Sequence, residues 1–436
     1  MNRCVFVGLL LGCAVATQAA DRLWNAASGD WNDAANWLDG VKPAAWEAAL
    51  VDNGGVCELA SGTVGVGHLL VGASGAELST FRQTGGALSV TVGGTTPFGI
   101  GGRNGNASKG RYELVNGSLA VSSYSLIGTY GEGEMVMSGG TFTANDWTAI
   151  GRFKGGRGVM RVEGGTFTLA KNGVNVGEDG TGLLVVTNTG VFAVQHGIFA
   201  ISRNDLSDNS SHGTVRLETG GTLRVPAVEG KLPGDFVFAG GLLQVTGAGR
   251  SVDPFFAPTV AVAVEAGGAV VDTHGNDIRI DSDLRAPVEG EAGGLVKLGA
   301  GTLRLAGANT YAGRTIVSNG VLVAESAAAL PGYDRPGQVE VCADAVLVLG
   351  DAWTDDERAA LRANAVLPDD AGRIVWGSGT LAGAFGDELD AAKYLYLAGG
   401  HFAGKNGAIA ERNGTAPGEI AFARGAVAGF TATDAP

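Results

Sequence analysis

A unit of about two dozen residues recurs along this chain, and a recurrent unit limits the possible folds more than composition does. Its core is a glycine, an alternating apolar run, a glycine corner and another apolar residue. Copies run from Gly110 (GRYELVNGSL), Gly133 (GEMVMSGGTF), Gly158 (GVMRVEGGTF), Gly182 (GLLVVTNTGVF) and Gly213 (GTVRLETGGTL). The first four leading glycines are 23, 25 and 24 residues apart, and the step to Gly213 stretches to 31. An earlier copy from Ser79 (STFRQTGGAL) lacks the leading glycine. An aliphatic residue followed by glycine precedes each unit of the first part: Val71-Gly72, Ile100-Gly101, Ile127-Gly128, Ile150-Gly151 and Val176-Gly177.

Alternation such as Met135-Val-Met137 puts one side-chain set inward, as a short strand does. Glycine pairs supply the positive φ that a corner needs. The unit has no helical period and is too short for a propeller blade of about 40 residues. It predicts an all-β chain folded as a right-handed parallel β-helix, a solenoid whose coils pair in register at about 4.8 Å. Over residues 51–350 that makes about 12 coils and a rod about 60 Å long. A pair of antiparallel sandwiches with Gly-rich hairpins is the alternative, but it does not require a recurrent unit.

Composition agrees. The 436 residues include 74 Gly, and 45% are hydrophobic, too many for a disordered chain. The glycines do not follow the every-third spacing of collagen. A formal charge of −14 argues against nucleic acid as a partner, because phosphate would be repelled.

Residues 1–20 read as a secretory signal peptide: Arg3, an apolar run from Val5 to Ala16, and a small-residue zone ending at Ala20. A lipoprotein-type site at Leu10–Cys13 would leave Cys13 carrying lipid, but Arg3 stands close for that. No later segment offers about 20 apolar residues, so no transmembrane helix is expected. The mature chain keeps Cys57 and Cys342, too few for a disulfide framework and without zinc spacing. Near opposite ends of a rod they would lie beyond the bridging limit of about 7 Å, as buried, unreactive thiols.

The flanks suit the ends of a rod. Residues 21–50 hold Trp24, Trp31, Trp37 and Trp46 among Asp, Asn and Pro residues, an N-terminal cap for exposed strand edges and core. Residues 351–436 form a small C-terminal region. It begins with one helix after Thr354 (DDERAALRAN), capped by Thr354, and continues as Gly-rich short strands that include Tyr394–Leu397.

Residues 293–324 read GGLVKLGAGTLRLAGANTYAGRTIVSNGVLVA. This stretch closely resembles the autotransporter-associated β-strand repeat, the passenger repeat of many bacterial surface and secreted proteins. Lys297, Gly299, Gly301, Thr302, Leu303, Leu305, Gly307, Asn309, Tyr311, Gly313, Thr315, Val317, Gly320 and Leu322 fall on the fixed positions of its pattern. The Trp-rich opening is similar to the start of many such passengers. The resemblance implies a right-handed β-helix displayed outside the cell, secreted or on the outer surface of a Gram-negative-type bacterium. The chain departs from that family in one respect: residues 351–436 are too few and too Gly-rich for the closing membrane barrel. A free secreted protein, a subunit held by partners and a truncated copy all remain open.

Many β-helix proteins cleave polysaccharides, so the carboxylates matter. The richest group is Asp272, Asp277, Asp281 and Asp283, with His274 and Arg279 interleaved. A catalytic reading places Asp281 and Asp283 two residues apart on one strand face, as the two carboxylates of glycoside cleavage. The plainer reading makes Asp272–Asp277 a turn and leaves the later acids facing solvent at a coil edge. Asp205, Asp208, Asn209 and His212 form a second polar insertion, read as a surface loop. There is no phosphate loop, no G-x-S-x-G elbow, no H-E-x-x-H and no calcium nonapeptide, so no cofactor and no metal are expected. The tryptophan cluster offers sugar stacking as the alternative to capping.

Three functions follow. The leading one is a non-catalytic, adhesin-like surface scaffold whose partners are cell-surface glycans or envelope proteins. The second is a carbohydrate-active β-helix enzyme, a lyase or glycosidase, using the Asp272–Asp283 group. The third gives the 293–324 repeat a role in export and folding outside the cell.

Overall fold

The computed structural model describes residues 21–93, 96–203, 211–247, 254–288, 293–343 and 345–367, together with the backbone of strands Arg373–Trp376, Tyr394–Leu397 and Glu419–Phe422. Residues 1–20, the expected signal peptide, and most of the C-terminal region lie outside these. The chain is all-β, a parallel solenoid of about 12 turns. Each coil of the N-terminal part has three strands. Phe98–Ile100, Lys109–Leu114 and Ser118–Val121 make one, and Ser125–Ile127 begins the next. Equivalent strands stack parallel, as the recurrent unit predicts. Gly110 pairs with Gly133, Gly133 with Gly158, Gly158 with Gly182 and Gly182 with Gly213. Ser79 takes the glycine's place one coil earlier, opposite Gly110.

Stacking in register lines up like side chains. Phe142, Phe167 and Phe192 form an inner column, with centroids 5.1 Å apart for the first pair and 4.3 Å for the second. A fully buried Phe contributes about 1.5–3 kcal/mol, so such columns add to the cohesion that the backbone ladders give between coils.

The two glycine elements meet at one corner. Gly128 and Gly151 have φ of 69° and 78°, which only glycine adopts readily. A Cβ on Gly133 or Gly158 would come closer than 3.0 Å to the carbonyl oxygen of Ile100 or Ile127. The aliphatic-Gly pair therefore makes the turn, and the leading glycine lets the next strand pass against it. At the last step Ser202 occupies the left-handed position, φ 54°, and its hydroxyl accepts from the Gly213 N–H at 2.8 Å.

Residues 21–50 do more than cover the end. Asp21–Leu23 and Ser28–Asp30 pair with Ala48–Val51 and Val56–Leu59, so this segment is itself the first coil. Trp24, Trp31 and Trp37 are buried in it, and the Trp37 ring N–H donates to the Trp31 carbonyl at 3.0 Å. Trp46 differs, with 69% of its surface exposed, because it lies in the loop before Ala48–Val51.

Near residue 255 the coil changes. The first ladder runs to Glu229–Gly230, and Phe256 bridges to Val228 while the Phe255 N–H donates to the Arg279 carbonyl. A new sheet then stacks Ile278–Ile280, Thr302–Leu305, Gly320–Ala324, Ala345–Leu349 and Arg373–Trp376. The last strand carries the ladder beyond residue 350, further than the repeat pattern suggested. Helix α1, Asp355–Asn364, is inserted before it. Thr354 and Glu357 cap each other's backbone N–H, and Leu361 and Trp353 close the core. Both thiols are free: Cys57 is buried in the strand Val56–Leu59, whereas Cys342 is half-buried beside Glu340, less enclosed than expected.

Candidate functional site

Asp281 and Asp283 do not share a strand face. Asp281 follows the strand Ile278–Ile280 and Asp283 precedes Leu284–Arg285, so the pair forms the corner between two strands. Each is held by its own arginine, Asp281 by Arg279 at 2.6 Å and Asp283 by Arg285 at 2.8 Å. The Asp283 carboxylate also accepts the Ala308 N–H at 2.8 Å, and the Arg285 hydrogen bond leads in holding its pKa below the usual range. Asp277 accepts the Thr302 N–H at 2.8 Å. Asp272 accepts the His274 N–H and the Gln244 amide, both at 2.8 Å. The segment from Thr273 to Asn276 is a turn, with His274 at φ 50°. Asp205, Asp208 and Asn209 lie outside the described residues. His212 faces Asp235 at 3.0 Å, both well exposed.

The neighbouring repeat uses its fixed residues in the same way. Lys297 is fully buried, and its ammonium donates to the carbonyls of Leu298, Gly299 and Asn319 at 2.8, 2.7 and 3.0 Å. Three donors meet three acceptors, so the charge is compensated where water cannot reach it. Burial still pushes its pKa down to about 8, against the opposing pull of Asp272 and Asp277. The Asn309 side chain accepts the Leu284 N–H and donates to the Ala329 carbonyl, each at 2.8 Å, joining the coils on either side. The Tyr311 and Thr315 hydroxyls share a hydrogen bond of 2.7 Å inside the core. Leu303, Leu305, Val317 and Leu322 point into that core. Gly299 has φ 72° and leaves room for the Asp272 carboxylate.

Two lateral features were missed in the sequence. An ion-pair ladder crosses four coils: Arg82–Glu113 at 2.6 Å, Arg111–Glu113 at 2.8 Å, Arg111–Glu134 at 2.9 Å and Arg161–Glu134 at 3.8 Å. Aligning the outward positions of the repeat copies would have revealed it. On the first ladder, the residues between the core positions, Leu126, Ala149, Asn175 and Ala200, form a second row that points away from the main core yet is itself buried. Their rims carry aromatic rings. Tyr130 stacks on Phe153 at 4.4 Å, with the Arg152 guanidinium 4.5 Å from the Phe153 ring, and Arg203 stands 5.0 Å from the Trp147 ring. Arg152 also pairs with Glu178 and Asp179 at 3.1 and 3.2 Å. These rings are engaged by the chain's own residues.

The acid group thus fastens one coil to the next. In comparison with known proteins, the family Passenger-associated-transport-repeat matches residues 295–324. Comparison with curated proteins and with solved structures gives no match. The matched residues are those that fasten the coils around Lys297 and Asn309, so this is a β-solenoid repeat protein carrying the passenger repeat of autotransporters.

Proposed function

We propose that this chain is a secreted or cell-surface passenger scaffold of a Gram-negative-type bacterium, adhesive through its lateral surface and without turnover of its own. The passenger repeat supports the export setting. Among the described residues no helix is long and apolar enough to cross a membrane. The adhesive reading rests mainly on how the Asp272–Asp283 carboxylates are used. Asp277 and Asp283 accept backbone N–H groups of the next coil, and Asp281 and Asp283 are each tied to an arginine. A glycosidase needs two carboxylates facing one substrate bond instead. The surface that remains for partners is the outer face of the coils that carries the partly exposed ion-pair ladder, and cell-surface glycans and envelope proteins are the classes expected on it.

The test uses purified chain with panels of surface polysaccharides and envelope proteins. Retention on one of them, with no release of reducing or unsaturated ends, is the expected result. Product release that disappears in Asp281→Asn and Asp283→Asn would replace this reading with a carbohydrate-active enzyme. Failure to bind any member of either panel would remove the adhesive role.

A further inference from the structure

The C-terminal strands raise a separate question. Tyr394–Leu397 and Glu419–Phe422 pair parallel, Tyr394 opposite Glu419 and Leu397 opposite Phe422. Two four-residue strands do not make a stable sheet alone, and parallel sheets in particular need covered faces and further neighbours. Arg373–Trp376 presents the complementary situation. It pairs with Ala345–Leu349 on one side, and among the described residues its other edge has no neighbour. An open parallel edge is a template for another strand.

The spacing fits. Partners in this sheet are separated by 19 residues from Thr302 to Val321, 25 from Gly320 to Ala345 and 27 from Val346 to Arg373. Tyr394 and Glu419 are 25 apart, and Arg373 and Tyr394 are 21 apart. The pattern fits as well. Ile374 and Trp376 occupy the register positions of the core residues Leu347 and Leu349. One rung on, the same alternation offers Leu395 and Leu397, and the next offers their partners Ile420 and Phe422. Every one of these positions is apolar.

We infer that Tyr394–Leu397 is the next rung on the open edge of Arg373–Trp376, with Glu419–Phe422 beyond it, so that the sheet of the passenger repeat continues to residue 422. The three strands after helix α1 are then successive rungs of one sheet. The partner of the open edge is a strand of the same molecule, with Arg373 opposite Tyr394 and Val375 opposite Tyr396. This inference does not depend on the adhesive reading.

Cysteine pairs in a Cys57→Ser, Cys342→Ser background test it in the full chain. Val348→Cys with Val375→Cys is the benchmark, since that register is already fixed. Val375→Cys with Tyr396→Cys should cross-link within one molecule to the benchmark yield, by oxidation or a short bismaleimide. Val375→Cys with Leu395→Cys, which puts the second thiol on the opposite face, should not. Absence of the 375–396 link beside a working benchmark overturns the inference, as does equal linking at 395. Links formed only between molecules, growing with concentration, overturn it in favour of a second copy. Hydrogen exchange on the unmutated chain gives an independent reading: amides of residues 394–397 should be protected as long as those of 345–349, and exchange within seconds would overturn the assignment.

Discussion

The coils around residues 98–201 and those around residues 278–349 solve one problem, turning a corner between stacked strands, in different ways. The earlier coils use the absence of a side chain. Gly128 and Gly151 adopt positive φ, and Gly133 and Gly158 let backbones approach closer than a Cβ allows. The later coils keep such glycines at Gly299, Gly301 and Gly320 but add long polar side chains that reach the backbone: Lys297 on three carbonyls, Asn309 on two coils at once, Asp277 and Asp283 on N–H groups of the next coil. Glycine corners repeat with little variation and leave the outer surface free to vary. Side-chain corners specify one sequence, which explains why only the later region carries a recognisable family pattern.

The contrast can be broken most severely at the glycines. Gly158→Ala places a methyl closer than 3.0 Å to backbone atoms of two coils, and backbone cannot swing aside. We expect a loss of about 3 kcal/mol or more by denaturant titration. Gly40→Ala is the matched control: its φ is 67° and no atom lies within 4 Å, so only the conformational cost of about 1 kcal/mol should appear. Equal losses at the two positions would refute the close-approach role.

Lys297→Met tests the side-chain corner. It leaves three buried carbonyls without their donor, with an expected loss of about 2–3 kcal/mol. Its pH dependence has a definite sign. Burial holds the folded-state pKa at about 8 against an ordinary 10.5. Between these values the unfolded chain binds more protons, so stability rises with pH, is complete above 10.5, and is lost as pH falls through about 8. A rise in that window for the native chain, absent in Lys297→Met, is the expected result in denaturant titrations at pH 7 and pH 10. A flat native profile would sink the account.

The smallest effect belongs to the surface ladder. Arg111→Ala breaks pairs to Glu113 and Glu134 that are partly exposed, so stability should fall by less than about 1 kcal/mol. The difference should shrink further in high salt. A larger, salt-independent loss would show that the arginine stem packs against the wall and matters more than its charge does.

Features that repeat, or that need one residue type, were legible in the sequence. The leading glycines and the aliphatic-Gly pairs announced the coil because no other residue fits there. Thr354 ahead of a run of acidic residues announced the helix start, since an N-cap and the first turn favour those residue types. Asp281 and Asp283 were less readable: a spacing of two suggests one strand face, but here a corner falls between them. The involvement of residues 21–30 in the ladder was obscured by tryptophans that suggested only a lid, and Trp46 shows that one of the four is no lid at all. The ion-pair ladder was invisible unit by unit, because Arg82, Glu113, Glu134 and Arg161 become neighbours only when coils are superposed. The switch of sheet near Phe255 had no periodic mark.

In the Phe142–Phe167–Phe192 column each ring meets the equivalent ring of the adjacent coil. Excising residues 133–157 would join Glu132 to Gly158, which occupies the same register position as the removed Gly133. Duplication of the same segment would be accommodated equally well. The number of turns is thus a heritable quantity that changes in whole increments, through recombination within the gene, without a new fold having to be found.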